Sequence, residues 1–389
     1  MSRTFKIGER AVGGDNPCYI IVEVSCNHEG DFDEARRIIE EAAKAGADAA
    51  KIQTYTPSTM TGNFQNRAEG TMWSEIDLFK LYEKAQTPWE WHGDLLKVAE
   101  DNGIHLFSSP FDETAVDHLM QYDVPVFKIA SFELVDTKLL EKVAATGKPI
   151  IISNGMTDYL ELDEAVRTLR NHGVQDLAVL HCNSGYPASF DEANVNTVPV
   201  IGELFDVVPG ISDHTIYADD RNYKAPMAHV TPLEAVKKGA KIIEVHLLLD
   251  REKARALNEN DEGGFDWPFS REPAELKKMV DMIREYEDTG SVDYETQEEK
   301  IAAARTHGDV CFEPTPKELS SRSLRPCLWV VKDIAAGEIL HFAPAGEGNI
   351  DSLRPAGGMP IRFADFIQGK HAKTDISAGQ PLQWDMVNI

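Results

Sequence analysis

The chain has 389 residues, 42% of them hydrophobic and 27% charged, and a formal net charge of -26 at pH 7. Such a length suits two domains, or one barrel with an appendage, and the composition is that of a globular protein with a large core. The negative balance argues against nucleic acid and anionic membranes as partners, because both are repelled, and it requires any anionic substrate to meet a local cluster of Lys, Arg, backbone N–H groups or metal.

The opening stretch "MSRTFKIGERAVGGDNP" lacks the apolar core of a signal peptide, and no run of about 18 apolar residues follows. A cytoplasmic location and no membrane span are expected. From residue 19 onward, short β-branched runs alternate with amphipathic segments. The predicted strands are 19–24, 49–54, 104–109, 126–130, 149–153, 177–182, 207–212 and 241–249. Helical periodicity fills the intervals, as in Ile38, Ile39, Ala42 and Ala43, and Gly46, Gly103, Gly147, Gly173 and Gly239 stand where helices stop. Eight such units within residues 1–290 predict a (β/α)8 TIM barrel. An open doubly wound sheet is the alternative, and the lack of GxGxxG after the first strand weakens its dinucleotide-binding form.

Residues 291–325 are polar and read as a linker with one short helix. Residues 326–389 read as a small β-rich domain with an internal echo, "VKDIAAGEIL" and "AKTDISAGQPL". Cys18, Cys26, Cys182, Cys311 and Cys327 form no CxxC pair and are odd in number, so reduced and mostly buried thiols are expected.

In a barrel of this kind, chemistry sits at the C-terminal strand ends. Polar residues occupy that end of all eight predicted strands: Glu23, Lys51 with Gln53, Ser109, Lys128 with Ser131, Ser153, then Ser184 with Tyr186, Ser212 with His214, and Glu244 with His246. A Lys in a buried strand costs several kcal/mol unless it meets an anion or loses its proton. Lys51 and Lys128 therefore have three readings: snorkelling to solvent, a Schiff-base nucleophile, or a phosphate or carboxylate cradle with the serines. His214 and His246, on adjacent strands, are either hydrogen-bonded core residues or two neutral ligands of a divalent metal. Glu23 and Glu244 are candidate acid–base groups. Strand alternation turns Ser212 and His214 to one side and Asp213 to the other. His28, His92, His105 and His172 read as structural or exposed.

Taken in order, "IVEVSCNHEGDFDEA", "AGADAAKIQTYTP", "VPVFKIASFEL", "GKPIIISNGM", "HCNSGYP" and "GISDHT" resemble the sialic acid synthase family, and "RSLRPCLWVVKDIAAGEIL" through "GKHAKTDISAGQPL" resembles its antifreeze-like (SAF) domain. "TMWSEIDLFKLYEKAQTPWEWH", "HCNSGYP" and "GGFDWPFS" are most similar to the pseudaminic acid synthase branch. The resemblance implies condensation of phosphoenolpyruvate with an N-acylated amino sugar. In this branch the sugar is 2,4-diacetamido-2,4,6-trideoxy-altrose; N-acetylneuraminate and legionaminate synthases use related sugars. It implies His214 and His246 as ligands of Mn2+, Mg2+ or Co2+, and Glu23 and Glu244 as catalytic carboxylates. Lys51, Ser109, Lys128, Ser131, Ser153 and Ser212 are implied as phosphoenolpyruvate contacts. Gln53, Tyr186, Asp266 and Arg354 are implied on the sugar side, with Arg354 arriving from the second subunit of a domain-swapped homodimer. Two long stretches, one starting at Tyr217 and "REKARALNENDEGG", follow strands seven and eight and are expected at the mouth above the metal.

Overall fold

The computed structural model describes residues 3–64, 66–67, 76–216 and 227–389. A hairpin of β1 (Thr4–Ile7) and β2 (Arg10–Gly13) opens the chain. Eight parallel strands follow: β3 (Tyr19–Glu23), β4 (Ala49–Thr54), β5 (His105–Pro110), β6 (Phe127–Ile129), β7 (Ile150–Ser153), β8 (Leu177–Cys182), β9 (Val208–Asp213) and β10 (Ile242–His246). They close into a barrel, with β10 paired to β3 so that His246 lies opposite Glu23. The predicted TIM barrel is thus the observed fold.

Alternation along the strands explains the interior. Tyr19, Ile21, Ala49, Phe107, Val126, Ile151, Leu180, Val208 and Ile242 point inward and form an apolar layer. Two residues further along the strands, or four on β9 where Gly210 intervenes, the inward positions become Glu23, Lys51, Ser109, Lys128, Ser153, Ser212 and Glu244, all buried. Phe5, Ile7 and Val12 of the hairpin join the apolar layer and plug the opposite end, a role the sequence did not announce. Outward residues such as Ile20, Val22, Ile243 and Val245 pack on the helical ring. At Gly210 a Cβ would run into the Ile242 carbonyl oxygen and the Leu180 side chain, so the apolar layer closes only with glycine there.

The ring helices start and stop as their ends dictate. Asp31 caps α1 (Phe32–Ala45), and Gly46 ends it in the left-handed conformation. Next come α2 (Pro57–Met60), α3 (Leu78–Ala85), α4 (His92–Asp101), α5 (Glu113–Leu119), α6 (Thr137–Ala144), α7 (Tyr159–Asn171), α8 (Thr197–Phe205), α9 (Val230–Lys237), α10 (Arg251–Glu259) and α11 (Pro273–Thr289). "REKARALNENDEGG" therefore begins as helix α10. Residues 71–75 and 217–226, including the stretch that starts at Tyr217, lie outside the described residues. Among the described residues no helix is long and apolar enough to cross a membrane.

The segment 291–325 holds two α-helices where one was expected: α12 (Gln297–Thr306) and α13 (Pro316–Ser321). Both begin in capping boxes, Thr296 with Glu299 and Thr315 with Glu318. The C-terminal unit contains β11 (Cys327–Val330), β12 (Ile350–Leu353), α14 (Ala364–Ile367), β13 (His371–Ala372), β14 (Gln380–Pro381) and β15 (Val387–Asn388). The internal echo is a structural one. Ile334 and Ile376 exchange backbone bonds of 2.9 and 2.8 Å, while Asp333 accepts the Ala378 N–H and Asp375 the Ala336 N–H, each at 2.8 Å.

Candidate active site

The C-terminal end of the barrel opens into a pocket of about 920 Å³, open solvent at its mouth included. Its floor is the polar layer. Lys51 pairs with Glu23 and lies 3.6 Å from Glu244, and Lys128 lies 3.3 Å from the other Glu244 oxygen. Ser212 donates to Glu244 at 2.9 Å, and Glu23 accepts the Ser25 N–H at 2.8 Å. Burial pushes the Lys128 ammonium down. Burial also opposes the Glu244 carboxylate, but Lys128, Lys51 and Ser212 outweigh it and hold it well below the usual carboxylate range. For Lys51, burial is overcome by Glu23 and Glu244, which raise it. Two lysines and two acidic side chains thus share one buried layer, and among the described residues Ser153 Oγ has no hydrogen-bond partner. Of the expected phosphoenolpyruvate contacts, Lys51, Lys128, Ser131, Ser153 and Ser212 line the pocket. Ser109 stands one step back: it accepts a 3.1 Å bond from Lys51 and so orients that ammonium.

His214 and His246 face each other across one wall, ring centroids 5.1 Å apart. His214 Nδ1 donates to the Asn183 carbonyl at 3.1 Å, which leaves its Nε2 lone pair for a ligand. Burial, then the neighbouring His246, lower the His214 imidazole to about 3, so the ring is neutral. His246 Nδ1 lies 3.0 Å from an Asp266 oxygen. Two facing imidazoles, each with a second group beside the other ring nitrogen, are a donor set that fits a divalent cation with open positions. Among the described residues no group of three or more His, Cys, Asp or Glu side chains could hold an ion, so further ligands would come from water or substrate. Asp213 points away from the pocket, as alternation predicts, and pairs with the fully buried Arg271. Elsewhere, His92 bonds Thr54, His105 bonds Tyr19 and His172 bonds the Thr168 carbonyl.

Above the floor the lining changes. Cys26, Tyr55, Met60, Leu81, Phe111, Phe265 and Leu324 form an apolar cup. Gln53, Tyr186 and Asp266 reach it from below, with the Tyr186 ring 4.5 Å from His214. Arg354 enters from the C-terminal unit. Its guanidinium pairs with Glu133, donates to the Tyr82 hydroxyl at 2.9 Å and lies 4.9 Å from the Phe132 ring centroid. Its backbone N–H donates to the Met60 carbonyl at 2.9 Å, and its carbonyl accepts from Thr61 at 2.7 Å. Within this one chain Arg354 lies in the pocket of its own barrel. The path of α12 and α13 brings the chain across the mouth to Arg325, bonded to Glu161 at 2.9 Å.

Comparison with known proteins follows the same division. Residues 325–388 match the SAF domain. Residues 38–293 match the NeuB family. The chain belongs to the NeuB family. Pseudaminic acid synthase of Helicobacter pylori is 35% identical over 373 residues, covering 95% of this chain and 97% of the relative. N,N'-diacetyllegionaminic acid synthase of Campylobacter jejuni is 30% identical, covering 90% and 94%. The crystal structure of spore coat polysaccharide biosynthesis protein SpsE from Bacillus subtilis superposes with a TM-score of 0.79 at 29% identity, covering 100% of this chain and 99% of that one. This NeuB family member is an enzyme of the nonulosonic acid synthase type, a transferase that forms a C–C bond.

Several residues of the NeuB site escaped the sequence reading. Tyr82 and Phe132 gave no signal and Glu133 only a faint one, because their partner Arg354 lies more than 200 positions away in sequence. The Glu133 side chain is 2% exposed, and burial pushes its carboxyl up while Arg354 pulls against it. Glu318 lay in the predicted linker and drew no role from the sequence. "FELVD" carried one usable sign, a charged residue inside an apolar stretch that begins at a strand end.

Proposed function

We propose that this NeuB enzyme condenses phosphoenolpyruvate with 2,4-diacetamido-2,4,6-trideoxy-altrose to give a pseudaminic-acid-type nonulosonic acid and phosphate. The observation that carries this reading is a charged floor with two lysines beneath an apolar cup. The floor suits a small anion bearing phosphate and carboxylate, and the cup suits a sugar whose far end carries methyl groups in place of hydroxyls. Similarity to the pseudaminic acid synthases of Helicobacter pylori and Campylobacter jejuni supports the same choice.

Lys51, Lys128, Ser131, Ser153 and Ser212 would bind phosphoenolpyruvate, with Ser109 holding Lys51. Gln53, Tyr186, Asp266 and Arg354 would orient the open-chain sugar so that its aldehyde carbon meets C3 of phosphoenolpyruvate. Water then adds at C2, and the tetrahedral product loses phosphate. Glu244, kept ionised by its lysines, is suited to accept the proton of that water, with Glu23 as the second candidate. A divalent cation (Mn2+, Mg2+ or Co2+) held by His214 and His246 would supply Lewis-acid stabilisation of charge on the carbonyl oxygen. The division into a barrel (1–290), linker (291–325) and SAF domain (326–389), a homodimer and a cytoplasmic location belong to the same proposal.

Phosphate release with phosphoenolpyruvate and three sugars tests it: the altrose derivative, its 6-deoxy-mannose analogue and N-acetylmannosamine. The altrose derivative is expected to exceed both others at least tenfold in kcat/KM; a preference for either of the others overturns the sugar assignment. His246→Ala is expected to abolish activity and metal dependence together, and full activity with unchanged chelator sensitivity would count against it. Lys128, depressed by burial, also has the character of an imine-forming lysine. Borohydride with substrate separates the two chemistries, and no adduct on Lys128 or Lys51 is expected.

A further inference from the structure

The loop that follows Ser153 and the loop that carries Ser184 are gripped by a helix from outside the barrel. Glu318 of α13 reaches into the mouth with its side chain buried. One carboxylate oxygen accepts the backbone N–H of Met156 and of Ser184, both at 2.8 Å, and the other accepts the Thr315 N–H at 2.9 Å. The carbonyls of the same two residues are also claimed by this segment. Ser321 donates to the Ser184 carbonyl at 2.7 Å, and Arg322 and Arg325 donate to that of Met156 at 2.8 and 2.6 Å. Met156 has φ 53°, a left-handed conformation that a residue with a side chain keeps only when its surroundings hold it there. Ser184 in turn holds Ser131, hydroxyl to hydroxyl, at 2.9 Å.

A carboxylate that only closed a capping box would stay at the surface, because the cap needs only its own helix. Glu318 does more: its second oxygen spans two βα loops, 162 and 134 positions away in sequence. We propose that Glu318 is a positioning residue for the phosphoenolpyruvate half of the site. Through Ser184 it fixes Ser131, and through Met156 it fixes the loop that follows Ser153. The segment leading to the SAF domain thereby sets the geometry of the phosphate cradle. This rests on the assignment of that cradle to phosphoenolpyruvate, made above.

Steady-state kinetics of the full-length enzyme test it, with phosphoenolpyruvate and sugar varied separately. Glu318→Ala is expected to raise KM for phosphoenolpyruvate at least tenfold and to move KM for the sugar less than twofold. Glu318→Gln, which keeps an acceptor oxygen for the two N–H groups, is expected to restore KM to within threefold of the parent. Thr315→Ala, which removes the cap alone, is expected to leave it within twofold. Should Glu318→Ala not fold, Ser321→Ala carries the test, with an expected rise of about threefold for phosphoenolpyruvate alone. An unchanged phosphoenolpyruvate KM in the variant that carries the test, or a Thr315→Ala effect equal to that of Glu318→Ala, overturns the proposal. Ser153→Ala, measured alongside, separates the causes. If it raises the phosphoenolpyruvate KM while Glu318→Ala does not, the positioning role fails and the cradle stands. If neither moves it, the cradle assignment itself fails.

Discussion

At the scale of single residues, the site depends on charges that cannot tolerate loss of a partner. Arg354 and Glu133 are 5% and 2% exposed at their side chains, so removing one leaves the other buried and uncompensated. Such a loss costs about 3–5 kcal/mol. Glu133→Ala is therefore expected to raise KM for the sugar at least tenfold and to lower the melting temperature. Kinetics and calorimetry on the same preparation check this; unchanged values in both would show that Arg354 needs no counter-charge. Ser153 presents the opposite case, a buried hydroxyl with no hydrogen-bond partner among the described residues. Ser153→Ala is expected to leave stability within about 0.5 kcal/mol of the parent and to act on phosphoenolpyruvate KM alone.

At the scale of elements, the loop after β10 shows how backbone geometry serves the site. Gly264 has φ 62°, its N–H is held by both oxygens of Glu29 at 3.0 Å, and a Cβ there would run into the Ala254 carbonyl oxygen. Two residues later, Asp266 meets His246. Gly264→Ala combines left-handed strain of about 1–3 kcal/mol with a backbone collision, so the loop must shift and carry Asp266 with it. Activity is expected to fall at least tenfold with little change in secondary structure. Steady-state assays beside circular dichroism check this, and parent-level activity would show that Asp266 is not placed by this turn.

At the scale of the whole molecule, the SAF domain meets the barrel across a pocket lined by Asp112, Glu113, Asp136, Lys138, Asp351 and Ser352. Ser352 donates to Asp136 at 2.8 Å, and Lys138 pairs with Asp365 at 2.7 Å. Burial, with Asp112 and Asp136 adding to it, raises the Asp351 carboxyl to about 7, despite bonds from the Gly346 and Ser352 N–H groups. A carboxyl raised on folding contributes fully below its ordinary value near 4, and the contribution is lost as pH rises through 7. Asp351→Asn is expected to be more stable than the parent by about 1–3 kcal/mol at pH 8, with the gain vanishing below about pH 4. Melting temperatures across that range check the sign, and a gain confined to low pH would reverse it. Mixing Arg354→Ala chains with His246→Ala chains tests which barrel Arg354 serves in a homodimer: a domain-swapped arrangement is expected to restore part of the activity, and no recovery would show that each chain supplies its own Arg354.

Much of this is legible in the amino-acid sequence. Eight β-branched runs alternating with helical segments specify a barrel because closure buries every one of them between an inner and an outer layer. The period of two then carries Lys51, Lys128, Glu23, Glu244 and Ser212 into one interior ring, so the chemistry of the floor follows from strand alternation alone. Ser109 belongs to that ring too, yet its depth behind Lys51 was not legible, because depth depends on how the strands stagger. The plugging hairpin, the pairing of Glu133 with Arg354 and the reach of Glu318 to two backbone N–H groups were likewise decided only in three dimensions. Each joins segments far apart in sequence, and two of the partners are main-chain groups that every residue possesses and no sequence pattern marks. The amino-acid sequence determined which groups face the cavity; the tertiary structure decided what holds them there, because burial creates a partner requirement that only the neighbouring chain can meet.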